Sequence, residues 1–335
     1  MKRILIPVLA FVAFISVSPR SYATTLLGDA VDYNVFVFSD MSGRLSGGSD
    51  VQGRVAAGGN FTAKAYSVGL NSPDAPYSLV TGGNVIWGDA VQGGTINNGG
   101  IYSGGNVTLY HYGVNGDVVA KGTVTRTGGT ITGGTVYDIN SNPSSAGFSS
   151  PVDFTAAEIY LKGVSQDLSH GTINGTTTYS YSNISLSGNN PVNMFYVDGG
   201  KLNDATSLTF NFASDEIGIV NISGASIDLG SGSMIGGIAG NILFNFYEAT
   251  NLNIHNVGVT GSILAPYANI TFPCGTVLGT VIAESTTGGG QYNLALFDHE
   301  IPGGSQPVPE PATMLLLGSG LAGLAATRFK RKPGN

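Results

Sequence analysis

A chain of 335 residues with a single cysteine, Cys274, can form no internal disulfide. Its stability must come from packing and hydrogen bonds in any redox compartment. We read that thiol as a small buried apolar side chain rather than a nucleophile. Histidine is equally sparse. His111, His170, His255 and His299 stand far apart, without the i, i+4 or Cys-rich spacing of a metal site, which argues against a metalloenzyme. No cofactor motif is present either. Charge is scarce, at a tenth of all residues. Of the 14 basic residues, Lys2, Arg3 and Arg20 lie near the start and Arg328, Lys330, Arg331 and Lys332 near the end. The seven left between Thr24 and Pro311 face all 21 acidic ones, a net charge of −14. Such a surface repels nucleic acid and anionic membrane.

Long apolar runs are missing except at the two ends. Met1-Lys2-Arg3, the apolar stretch Ile4 to Val17 and the small-x-small site Ser21-Tyr22-Ala23 read as a secretory leader cut after Ala23. At the other end Val308-Pro309-Glu310-Pro311 precedes an apolar segment, 312–327, and a basic stop, 328–332, that contains Arg328, Lys330, Arg331 and Lys332. As a helix those 16 residues would cover about 24 Å, a few Å short of the roughly 30 Å hydrocarbon core. The basic run would stay on the cytoplasmic side. This order resembles the PEP-CTERM sorting signal of Gram-negative bacteria. The resemblance implies an exosortase-type processing enzyme as partner, a transient hold in the inner membrane, and delivery to the cell envelope, surface or extracellular matrix. The expected division is a leader over 1–23, a working domain over 24–304 and a sorting tail over 305–335.

Glycine is plentiful, 51 residues, in clusters between short Val, Ile and Leu runs, which indicates short strands joined by turns. Gly-Gly-Asn recurs at 58–60, 82–84 and 104–106, and Gly128-Gly129-Thr130 follows 24 residues later. That period is one coil of a solenoid with three short strands. A second repeat, Gly, polar, β-branched, apolar, Ala, occurs at 53–57, 116–120, 261–265 and 279–283, so the early and late parts belong to one structure. Its β-branched residue should fill the interior, and its Ala should fit a tight bend. One segment departs from the pattern. Phe154, Ala157, Leu161, Val164 and Leu168 have helical spacing, predicting one amphipathic helix along the solenoid flank.

Leu27-Gly28-Asp29-Ala30 through Phe36, Val51 to Asn60, 261–268 and 279–283 resemble the opening and closing motifs of the bacterial choice-of-anchor A family. The resemblance implies an adhesive β-helix domain that carries one of several alternative C-terminal anchors. The expected fold is therefore all-β, a right-handed parallel β-helix with one flanking α-helix and a C-terminal membrane helix.

The expected function is non-enzymatic adhesion or scaffolding, associated with exopolysaccharide, biofilm or neighbouring cells. Trp87, Tyr102, Tyr110 and Tyr112 are the candidate carbohydrate platform. Tyr110-His111-Tyr112 would place both tyrosines on one face if the strand alternates regularly. Two other classes compete. An ice-binding solenoid would use a threonine row such as Thr123, Thr125, Thr127, Thr130, Thr132 and Thr135. A polysaccharide-degrading β-helix enzyme would need clustered carboxylates, for which Asp215-Glu216 with Asp198 is the nearest set, poorly arranged because adjacent strand residues point apart.

Overall fold

The structure, a computed structural model, describes residues 25–43, 49–141, 147–230 and 234–300. The expected leader, 1–23, and the expected membrane segment, 312–327, lie outside them. Short parallel strands stack into a three-sided solenoid. One side runs through 192–197, 217–222, 242–245, 263–265, 281–283, 35–37, 55–57, 79–81, 101–103, 118–120 and 136–137, each strand pairing with the next. At about 4.8 Å per strand these eleven strands extend roughly 50 Å.

The order of that stack does not follow the chain. Val35–Val37 pairs on one edge with Val55–Ala57 and on the other with residues 281–283, so the start and finish of the domain meet in the middle. From there the chain winds outward to Val136–Tyr137. It then returns past the starting point and along the helix Phe154–Ser169, here α1, to the far end, and winds back inward. Asn34 sits at the seam. Its side-chain amide donates to Gly279 O (2.7 Å) and Asn293 O (3.1 Å), and its Oδ1 accepts from Gly53 N (3.0 Å).

All four copies of the Gly, polar, β-branched, apolar, Ala repeat lie in this one side. Val55, Val118, Ile263 and Val281 point into the solenoid with Ala57, Ala120, Ala265 and Ala283. The intervening Ala56, Val119, Leu264 and Ile282 point outward, yet they are buried too, under α1 and neighbouring loops. This double burial explains why the strands read as unbroken apolar runs rather than alternating ones. α1 begins at Asp153, whose side chain accepts from Ala156 N (3.0 Å). It buries Ala157, Leu161, Val164, Ser165 and Leu168 against this covered sheet, so the predicted helix and its inward face are both found. Among the described residues no helix is long and apolar enough to cross a membrane.

The Gly-Gly-Asn repeat has a packing cause. It turns the corner from the covered sheet to a second side, and successive corners stack directly. A Cβ on Gly58 would lie 2.1 Å from Phe38 O, on Gly82 2.1 Å from Gly58 O, and on Gly104 2.2 Å from Gly82 O. Only glycine permits that approach. The asparagines form a ladder. Oδ1 of Asp40, Asn60, Asn84 and Asn106 accepts from the backbone N–H of Asn60, Asn84, Asn106 and Thr123 in turn, at 2.6–2.9 Å.

Candidate functional site

The second side of the solenoid, reached just after these corners, is not covered by α1 and carries a long, mostly polar column. Its strands alternate inward and outward residues, as in Phe61–Ala63 and Val85–Trp87. The outward position aligns Asp228, Asn253, Thr271, Thr287, Ser42, Thr62, Ile86, Thr108 and Thr125 in register. Nine positions at about 4.8 Å make a column close to 40 Å long. A second column, two residues earlier in each strand and thus about 7 Å away, comprises Asn251, Asn269, Ser285, Asp40, Asn60, Asn84 and Asn106, all exposed or half-exposed. Ser42 Oγ donates to Thr287 Oγ1 (2.9 Å) across the seam, and Ser285 Oγ donates to Asn269 Oδ1 (2.6 Å) one strand further on, which orients these hydroxyls.

Ser, Thr and Asn make up most of both columns, with Asp228 at one end of the first, the exposed Ile86 within it, and Asp40 in the middle of the second. Lys64 and Asp89 pair at 3.1 Å beside the face. Backbone N–H groups of Val91 and Gln92, each 2.8 Å from Asp89 Oδ1, together with Lys64 push that carboxyl down to about 2. Asp228 at one end accepts from His255 Nε2 or pairs with it at 2.8 Å. A lattice of hydroxyls, amides and carboxylates in register can hydrogen-bond to sugar hydroxyls or to ordered water.

The platform expected from the aromatic residues does not form. Trp87 is 1 % exposed inside the solenoid, stacked on Phe61 with ring centroids 5.2 Å apart. Tyr102 is buried on the covered side, against Tyr77. Tyr112 points inward while Tyr110 is half-exposed. The cause is His111, whose φ of +44° turns the corner and breaks the alternation that would have put both tyrosines on one face. Cys274 is likewise corrected. It is exposed, its thiol donating to Asn256 Oδ1 (3.3 Å). Among the described residues no three His, Cys, Asp or Glu are grouped as a metal site would need. Asp198 caps a short helix, Gly199–Asn203, and Glu216 accepts from Asn193 Nδ2 (3.1 Å), while Asp215 is exposed, so the three are not gathered together. The threonines of 123–135 divide between sides, because Val124–Thr132 spans a corner. Thr125 joins the first column, and Thr123, bonded through its N–H to Asn106 Oδ1 (2.9 Å), stands beside Asn106 at the end of the second. Ala23, Val308, Pro309, Glu310, Pro311, Arg328, Lys330, Arg331 and Lys332 lie outside the described residues.

The column was invisible in the sequence. Its members come from segments up to 245 residues apart, as for Ser42 and Thr287, and a single outward Thr in a strand carries no signal of its neighbours.

Residues 26–294 match the family model described as "Putative Ice-binding-like adhesive domain". The chain belongs to this family. A second match, over 307–332, is to the PEP-CTERM protein-sorting motif. No curated protein gives a match. A solved structure that the chain is similar to is the ice binding protein from an Antarctic bacterium, Flavobacteriaceae, at 10 % identity and a TM-score of 0.30, covering 78 % of this chain and 81 % of that one. The family member described here thus joins an adhesive domain to a sorting tail. The tail marks it for exosortase processing and for export to the envelope or surface of a Gram-negative cell.

Proposed function

We propose that this protein is a non-enzymatic surface adhesin or matrix scaffold that docks hydrated exopolysaccharide on the columned face. The observation that carries the reading is the largely Ser/Thr/Asn lattice held in register across both halves of the chain. Strand pairing fixes each hydroxyl before any ligand arrives, so little ordering entropy opposes binding. The acidic remainder of the surface disfavours nucleic acid as a competitor.

Co-sedimentation of the purified protein with the producing organism's own exopolysaccharide, with and without calcium, tests it. Saturable binding is expected, and Thr62→Tyr with Thr287→Tyr should abolish it by roughening the face while leaving the circular dichroism unchanged. Binding that survives in the double variant refutes this face as the docking surface.

A second reading rests on the same regularity. Equal spacing of about 4.8 Å along one column also suits ordered water, and hence ice. Ice recrystallisation inhibition that Thr62→Tyr removes, in a protein that ignores the polymer, would select it.

A further inference from the structure

Beyond the columned face, the structure holds aromatic side chains at the end of the solenoid where α1 arrives. A hairpin of Thr176–Ser180 with Asn183–Ser187, the antiparallel pair among the named strands, caps that end. Residues 173–179 lead into it alongside Val192–Val197. Gly175 N donates to Met194 O (3.0 Å) and Thr177 Oγ1 to Tyr196 O (2.8 Å). Between them opens a cleft of about 410 Å³.

The cleft sets apolar and aromatic side chains beside polar and charged ones. Tyr179 and Tyr196 are 42 % and 44 % exposed there, beside Ile173 at 45 %. The phenols are held: Tyr179 OH accepts from Asp198 N (3.0 Å), and Tyr196 OH lies 3.0 Å from Ser223 Oγ. The floor is Gly175, where a Cβ would fall 2.2 Å from the Phe195 ring, so the backbone sits deep. Aromatic faces carry negative potential and attract the electropositive C–H face of a pyranose.

The rim supplies the charge preference. Lys201 is exposed at the cleft and makes no ion pair among the described residues. Asp198, its neighbour in the lining, has its Oδ1 engaged by Lys201 N (2.9 Å), which stabilises the carboxylate as a cap. In a domain with seven basic residues, an unpaired ammonium beside two open tyrosines complements a carboxylate carried by the ligand.

We infer that this cleft is a binding subsite for a uronate-bearing sugar, with Tyr179 and Tyr196 stacking on the ring and Lys201 pairing with its carboxylate. The subsite lies on different elements from the columned face, so either can fail without the other.

Calorimetric titration of the purified protein with tetragalacturonate, and separately with cellotetraose, tests the inference. Saturable binding of tetragalacturonate that weakens with added salt is expected. Tyr196→Ala should weaken it about fivefold or more, Tyr196→Phe should retain most of it, and Lys201→Gln should cost about threefold. Circular dichroism would verify folding. Lys201 is on the exposed rim, so its variant remains informative even if Tyr196→Ala fails to fold. Absence of saturable binding, unchanged affinity in Lys201→Gln, or equal affinity for cellotetraose would overturn the proposal.

Discussion

Asn34 is fully buried, yet its amide bonds to three backbone groups from both halves of the chain. Removing it leaves Gly279 O and Gly53 N without this partner, each costing about 1–3 kcal/mol, while Asn293 O keeps its bond from Gly279 N (3.2 Å). Asn34→Ala should therefore lower stability by about 3 kcal/mol, measured by urea unfolding. Asp89 shows the opposite regime, a solvent-exposed carboxylate ordered by its own loop. Its folded value of about 2 lies below the ordinary aspartate value of about 3.9. A depressed acid stabilises the folded loop above the ordinary value and loses that contribution as pH falls toward 2. Carbon-detected NMR titration should place the Asp89 midpoint near 2, with the amides of Val91 and Gln92 moving in step. Neither role was legible in sequence, since Asn34 and Asp89 look like ordinary turn residues until their partners are in place.

α1 was legible because its apolar residues repeat at helical spacing within sixteen positions. Its polar contacts were not. Ser165 Oγ donates to Asn245 Oδ1 (2.6 Å), Asn245 Nδ2 donates to Ser165 O and to Asn221 Oδ1 (both 2.8 Å), and Asn221 Nδ2 donates to Leu168 O (2.8 Å). This buried chain fixes the helix to two successive coils at one register, where apolar contact alone would tolerate sliding. Asn245→Ala should cost about 2–4 kcal/mol by orphaning its partners. Leu161→Ala, by a cavity in the same interface, should cost about 2–5 kcal/mol. A double-mutant cycle between Ser165→Ala and Asn245→Ala should show coupling, whereas Leu161 and Asn34 should add independently.

At the scale of the molecule, the seam also sets where the tail leaves. Leu26 N donates to His299 O (2.9 Å) and Tyr160 OH donates to Leu26 O (3.2 Å), so residues 25 and 300 emerge together on the helix-covered side. Leu26, Leu27 and Phe297 are buried there with the outward face of the covered sheet. A tether attached beyond residue 300 would leave the columned side free to meet a polymer. Pro309→Ala with Glu310→Ala should leave an uncleaved precursor in the inner membrane, seen by fractionation and immunoblot. Unchanged processing in that variant would refute recognition through the Pro-Glu-Pro motif.

The sequence by itself determined the repeat length, the helix and the sorting address. Each is a local pattern: glycines spaced by one coil, apolar residues at helical intervals, a Pro-Glu-Pro motif before an apolar run. Only the tertiary structure decided the order of the coils, the inward turn at His111 that buries Tyr112, and the column joining Ser42 to Thr287. These depend on which coil stacks on which, and parallel strand pairing joins residues at sequence separations that no local pattern encodes.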